Sequence, residues 1–352
     1  MKKNQYSIIM AGGIGSRFWP MSTPEYPKQF LDVLGIGKSL IQLTYDRLLA
    51  ISPKENIYIL TNSSYADIVL EQLPDLNREQ VLCEPERKNT APCIAYAAAK
   101  LLALNPDARM VVAPSDHLIL NEQAFASTIQ TALDTADKND SIVTLGIQPT
   151  RPDTGYGYIE YDANNEVLPG QAVEVKQFRE KPDLETAQSF VEAGNFYWNS
   201  GIFIWKASTI LKALKDFQPT LHCLFTDKSE AYNTPGEQEM VNQCFRDCED
   251  ISIDFAVMEN AKNVDLVLAT FDWSDLGTWG SLSDHLPKDA FNNSAIGGSI
   301  KMIESQNCLV NLPKGKTAII QGLDGYIVVE SDDKLMILNL KDEQNLKEYL
   351  KG

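Results

Sequence analysis

An α/β fold with parallel strands at the core of its sheet is predicted by one alternating pattern in this 352-residue chain. Short apolar runs at 6–11, 56–61, 109–113 and 141–147 alternate with helical patterns at 39–51, 90–104 and 122–137, the rhythm of strands joined by helical crossovers. A glycine-rich turn, Gly12-Gly13-Ile14-Gly15, follows directly on the first apolar run.

Tyr6-Ser7-Ile8-Ile9-Met10 opens the chain as a buried strand. The 90–104 helix carries its own start signal, with Thr90 as N-cap and Pro92 in the first turn. From 156 to 206 the pattern shifts: "YGYIEY", "VEVKQF" and "SGIFIW" read as strands, with a helix at about 184–193. A largely helical stretch to about 260 precedes the strand "DLVLATF". Short strands with Gly, Asn and Asp turns follow near 297–340, and "KDEQNLKEYLKG" closes the chain as a helix-like segment. These shifts place a boundary near residue 288, with a large domain over 1–288 and, over 289–352, either a small independent β module or the last strands of one fold.

Composition excludes several classes. Hydrophobic residues make up 44% of the chain, enough for a substantial core. A formal charge of −17 argues against a nucleic-acid binder, so an anionic ligand must meet a local basic pocket. No apolar run suits a signal peptide or a membrane span. Six cysteines, at 83, 93, 223, 244, 248 and 308, form no compact disulfide framework, and a cytoplasmic location with reduced thiols is expected. Cys244 and Cys248 with His222-Cys223 allow a zinc site to be imagined, but without a paired CxxC the packing reading is stronger.

Five segments carry candidate chemistry. "AGGIGSRFWPMSTPEYPKQF" (11–30) offers bare backbone together with Arg17 and Lys28. Glycines admit N–H groups close to a polyanion and the cations neutralise it; the alternative is a flexible surface loop. The segment fits neither G-x-G-x-x-G nor a P-loop. In "RMVVAPSDH", Asp116 falls just past a strand, where open α/β sheets bind ligands, and it reads as a Mg²⁺ ligand or a turn residue. "FREKP" sets Glu180 beside Lys181, on opposite faces if the strand alternates. "YWNSGIFIW" buries Asn199 among apolar residues, so the amide needs a specific partner. "FDWSDLGTW" places Asp272 and Asp275 beside a helix start, as cap or as second metal ligand.

Together these segments resemble one family. Residues 11–30 resemble the GGxGSRxWPxSxxxxPKQF signature of mannose-1-phosphate guanylyltransferases, and the likeness continues through "EPERKNTAP", "PSDH", "TGYGYIE", "FREKP", "NSGIF" and "DWSDLGTW", covering about 8–280. "FREKP" departs from that family's FVEKP but keeps Glu, Lys and Pro. The resemblance implies a nucleotide-diphospho-sugar transferase fold (Rossmann-like, GT-A-type), with a mixed, mainly parallel sheet and a small C-terminal left-handed β-helix-like module. Longer members carry a cupin-like isomerase domain, which this chain is expected to lack.

The implied reaction is GTP + α-D-mannose 1-phosphate → GDP-mannose + pyrophosphate, with Mg²⁺ as cofactor, no nucleic-acid or membrane partner, and a homodimer expected. By resemblance, Ala11, Gly12, Gly13, Gly15 and Ser16 cradle the nucleotide, with Glu84, Asn89 and Thr90 on the guanosine side. Arg17 neutralises the β/γ-phosphates, Lys28 contacts the reacting phosphates and Lys181 holds the sugar phosphate. Gly157, Glu180 and Asn199 line the hexose pocket, and Asp116 and Asp275 bind the metal. Rival readings are the same chemistry with another nucleotide or hexose phosphate, and a silent regulatory homologue, against which the two cations, two aspartates and Lys181 weigh. An NAD-dependent oxidoreductase lacks its glycine fingerprint here.

Overall fold

The computed structural model describes residues 3–162 and 170–351. They group into two compact units, one of residues 3–12, 45–114, 119–162 and 170–273, the other of 13–44, 115–118 and 274–351. The division drawn at residue 288 therefore runs through the second unit, which also takes in the glycine-rich segment from Gly13 onward.

Among the described residues of the first unit, nine strands form one sheet: β1 (Gln5–Met10), β2 (Ile57–Asn62), β3 (Val81–Glu84), β4 (Arg109–Pro114), β5 (Ile142–Ile147), β6 (Tyr158–Tyr161), β7 (Ala172–Arg179), β8 (Phe196–Lys206) and β9 (Val264–Leu268). Their order is β3-β2-β1-β4-β8-β5-β9-β7-β6, with β6 also paired to β8. Pairing is parallel from β3 to β4 and between β5 and β9. It is antiparallel where β8 inserts between β4 and β5 and where β7 and β6 join. The sheet is thus mixed rather than mainly parallel. β1, β2, β4 and β5 are buried along almost their whole length, which is why they read as continuous apolar runs.

The Thr90–Leu104 helix owes its near-uniform apolarity to burial of Ala91, Cys93, Ile94, Ala95, Tyr96, Ala97, Ala98 and Leu101. They share a core with Ile210, Leu214, Phe225 and Phe245. Its N-cap is Asn89, whose side chain accepts from the Thr90 N–H, and not Thr90. Thr90 is instead the first helical residue, and its hydroxyl accepts from the Ile253 N–H at 2.8 Å. Cys244 and Cys248 are buried packing residues, and all six thiols are free. No group of three or more His, Cys, Asp or Glu suited to a metal occurs among the described residues.

The second unit closes around Phe18, Leu31, Val33, Leu40, Leu276, Trp279, Leu282, Leu309, Ile327, Val329 and Leu346. Its strands β10 (Ser294–Ile303), β11 (Leu309–Gln321), β12 (Tyr326–Ser331) and β13 (Lys334–Asn339) form a separate sheet, parallel from β10 to β12 and antiparallel at β13. The closing segment is a 3-10 turn, Leu340–Asn345, and one helical turn, Leu346–Tyr349. No described helix is long and apolar enough to cross a membrane.

Candidate active site

In the second unit the glycine-rich loop is fixed from within. The Gln29 amide donates to the Gly13 carbonyl at 2.9 Å, and the Ser22 hydroxyl to the Ile14 carbonyl at 2.7 Å. Gly15 is left-handed (φ 64°), and a Cβ there would stand 2.3 Å from the Lys28 Cβ. The fold therefore requires Gly15. Gly13 differs: a Cβ there would meet nothing within 4 Å, so packing does not account for its bareness.

Lys28 is almost fully buried, and its three ammonium donors are engaged. They reach Asp116 Oδ2 at 2.8 Å, the Asp275 carbonyl at 2.8 Å and the Leu276 carbonyl at 2.9 Å. Lys28 also lies 5.3 Å from the Phe18 ring centroid. Burial tends to raise the Asp116 carboxyl, but the Lys28 ammonium and His117 outweigh it and hold the group below its ordinary value. One cation thus joins Asp116 to the Asp275 loop. The Asp275 carboxylate accepts from the Gly277 N–H at 3.0 Å. A Cβ on Gly277 would stand 2.8 Å from Asp275 Oδ2 and 3.4 Å from Arg17 Nη1, so Asp275 and Arg17 flank that glycine. The Arg17 guanidinium forms no hydrogen bond among the described residues. Thr278, not either aspartate, caps the following helix, Trp279–Ser283. Leu276 is held at φ 44° while fully buried, a strained backbone of the kind that collects at functional sites.

In the first unit, three of the sequence-named residues meet. A Cβ on Gly157 would lie 2.5 Å from Glu180 Oε2 and 3.4 Å from the Asn199 Cβ, and the Asn199 N–H donates to the Gly157 carbonyl at 2.8 Å. The side chain of Glu180 is 7% exposed and Lys181 61% exposed. Lys181 Nζ reaches Glu180 Oε1 at 2.7 Å, whereas Oε2 is buried with no hydrogen-bond partner among the described residues. Lys181 itself sits at φ 43°, which breaks the strand alternation expected to separate it from Glu180.

Two residues here escaped the sequence reading. Asp254, in the π-helical turn Asp254–Met258, accepts from the Asn199 amide at 3.0 Å. Burial, then repulsion from Glu180, pushes its carboxyl up to about 6. Glu259 Oε1 accepts from the Glu180 N–H at 3.3 Å. Asn199 Oδ1 in turn accepts from the Thr144 hydroxyl at 3.0 Å, so the polar partner its apolar context demanded is present.

Glu84, at the end of β3, is 6% exposed, and a Cβ on Gly12 would stand 3.7 Å from its Oε1. Arg87, also missed, donates to the Gly12 carbonyl at 3.3 Å and to the Tyr65 hydroxyl at 2.5 Å. Asn89 and Thr90 are occupied as helix cap and as anchor of Ile253.

Burial pushes the Glu84 carboxyl up to about 8, against the opposing Arg87 charge. Because its folded value is raised, Glu84 contributes stability that is complete below its unfolded value and is lost as pH rises through about 8. Glu84→Gln is therefore expected to melt a few degrees above the parent at about pH 9 and with it near pH 5. Thermal melts at both pH values check this, and equal melting at the higher pH would contradict the buried-carboxyl assignment.

Residues 6–291 match the family described as Nucleotidyl transferase. The chain belongs to the nucleotidyl transferase family. Within it, the chain is 39% identical over 347 residues to the alginate biosynthesis protein AlgA of Pseudomonas syringae pv. tomato, covering 97% of this chain and 70% of that protein. It is 36% identical over 350 residues to the mannose-1-phosphate guanylyltransferase of Klebsiella pneumoniae, covering 98% and 73%. Among solved structures, a Thermus thermophilus protein described as a mannose-1-phosphate geranyltransferase superposes with a TM-score of 0.87 at 26% identity, covering 99% of this chain and 98% of that one. The fold is that of the nucleotide-diphospho-sugar transferases, with mixed sheets.

Proposed function

We propose that this chain transfers GMP from GTP to α-D-mannose 1-phosphate, forming GDP-mannose and releasing pyrophosphate. The choice of substrates follows the Klebsiella pneumoniae relative. The chemistry is supported by one observation above all: a buried lysine that joins Asp116 to the strained Asp275 loop.

A phosphate oxygen of the sugar phosphate attacks the α-phosphorus of GTP in line. The new P–O bond forms as the bond to the β-phosphate oxygen breaks, and pyrophosphate leaves with that electron pair. The nucleophile is already anionic, so no protein nucleophile or general base is needed, and the protein's task is alignment and charge neutralisation. Arg17, with its donors unspent on the protein, takes the β/γ-phosphates. Lys28 exchanges protein carbonyls for the reacting phosphates. Gly12, Gly13 and Gly15, with Ala11 and Ser16, line the nucleotide path, and Glu84 with Asn89 and Thr90 lies to the guanosine side. A Glu84 carboxyl pushed up to about 8 is a proton donor at neutral pH and suits a base acceptor.

One ammonium meets the Asp116 carboxylate and the Asp275 main-chain carbonyl, and the Asp116 carboxylate together with the Asp275 side chain on the same loop would suit Mg²⁺, which takes one or two carboxylates and fills its shell with water and phosphate oxygens. When bound there, Mg²⁺ supplies charge neutralisation to the phosphates. Lys181 holds the sugar phosphate. The unpartnered Glu180 Oε2 accepts a hexose hydroxyl, with Asn199 and the bare backbone of Gly157 beside it.

Location and assembly follow from the same reading. Free thiols support a reducing cytoplasm. The parallel β10–β12 pairings support a left-handed β-helical module in the segment after residue 288, with the chemistry kept to 1–288. Homodimer assembly is proposed with it.

The test is pyrophosphate release by the purified protein across a matrix of nucleoside triphosphates and hexose 1-phosphates. GTP with mannose 1-phosphate is expected to lead the matrix; preference for another pair, or none, overturns the assignment. Lys181→Ala is expected to raise KM for mannose 1-phosphate by about ten- to a hundredfold, the worth of one charge-assisted contact, while KM for GTP holds. An equal rise for both substrates would remove Lys181 from the sugar-phosphate role.

A further inference from the structure

The C-terminal segment reaches the loop that carries Asp275. Glu343 Oε2 accepts from the Gly280 N–H at 2.8 Å. Gly280 leaves the room this needs, since a Cβ there would stand 2.9 Å from Glu343 Oε1. Three residues on, Leu346 is buried in the core that holds Phe18, Leu276 and Trp279. The Trp279 indole donates to the Trp19 carbonyl at 3.2 Å, and its ring lies 4.8 Å from that of Phe18. Phe18 and Trp19 directly follow Arg17, and Leu276 supplies one of the carbonyls that hold Lys28. Burial raises the Glu343 carboxyl, while the Gly280 N–H, the Thr278 hydroxyl and the Arg17 charge lower it. The half-buried carboxylate is therefore bonded into the 275–280 loop, whose Gly277 is flanked by Asp275 and Arg17.

We propose that Glu343 is a positioning residue for phosphate handling, holding the 275–280 loop beside Arg17 in the arrangement that receives the triphosphate. This rests on the reading of Arg17, Lys28 and Asp275 as the phosphate-binding set. It gives the C-terminal segment a part in nucleotide use, beyond that of a packing module. The chemistry is that of an outer carboxylate bonded to the backbone beside a metal-binding carboxylate, where loss of the partner costs roughly tenfold or more in affinity.

The experiment compares Glu343→Ala and Glu343→Gln with the parent by steady-state kinetics and by amide exchange over 275–280. Glu343→Ala is expected to raise KM for GTP and the Mg²⁺ midpoint roughly tenfold, with KM for mannose 1-phosphate unchanged and the Gly280 amide exchanging faster. Glu343→Gln keeps an oxygen acceptor, so Gly280 stays protected and only the part due to charge is lost. Equal shifts in both substrates' KM, or parental KM for GTP in Glu343→Ala, would overturn the proposal. Parental protection of Gly280 in Glu343→Ala would also do so. Amide exchange is read with and without Mg²⁺ and GTP and needs no turnover. If the parent makes no GDP-mannose, the reading of function fails by itself; loss of GTP-induced protection in Glu343→Ala still supports the positioning role, and unaltered protection refutes it.

Discussion

Lys28→Met is expected to lower kcat by about 10²–10³, the cost of removing one preorganised electrostatic contact from a transition state. The same change should cost stability. Lys28 is the ammonium against Asp116 and fills two carbonyls of the Asp275 loop. Breaking a buried pair costs about 3–5 kcal/mol, and the 32% exposure of the Asp116 side chain puts this pair at the low end. The effects separate in Lys28→Met/Asp116→Asn, which removes the stranded carboxylate: melting temperature should recover in part, activity should not. The pH sign follows. Asp116 lies below its ordinary value in the fold, so its contribution is present above the unfolded value and is lost as pH falls through the folded one. Lys28→Met should lose that dependence, and an acid-unfolding profile parallel to the parent's would contradict the ion-pair account.

Asp275→Asn carries the second large effect. An asparagine keeps the acceptor for the Gly277 N–H, so the loop survives while the charge goes. The Mg²⁺ midpoint of the initial rate should rise by roughly 10- to 100-fold. Asp116→Asn should do likewise, and the double variant should lose less than the product of the two, because both would serve one ion. A Mg²⁺ titration of the four proteins decides. An unchanged midpoint in Asp275→Asn removes it from the metal site and leaves the exposed Asp272 as the next carboxylate to test.

The buried strands were legible because each reads as an apolar run. Val81–Glu84 was not: it is four residues long, ends on a carboxylate and follows the polar turn Arg78–Gln80. Strand direction was equally hidden, since the insertion of Phe196–Lys206 between β4 and β5 is a tertiary choice. Gly157, Glu180 and Asn199 could be named from separate motifs and do meet. Their supports could not be. Asp254 lies 55 residues from Asn199 and Glu259 lies 79 from Glu180, while Arg87 lies 75 from Gly12 and Glu343 lies 63 from Gly280. Local sequence carries no trace of such contacts. The left-handed backbone at Lys181 defeated the alternation argument for the same reason, since nothing in "FREKP" announces it.

The proposed transfer of GMP to mannose 1-phosphate is direct, with no nucleotidyl-protein intermediate. Its most direct test is turnover of one diastereomer of GTP carrying sulfur on the α-phosphorus, followed by assignment of the product's configuration by phosphorus NMR. One in-line displacement predicts thio-GDP-mannose of inverted configuration. Retained configuration would mean two displacements through a protein nucleophile and would contradict the account.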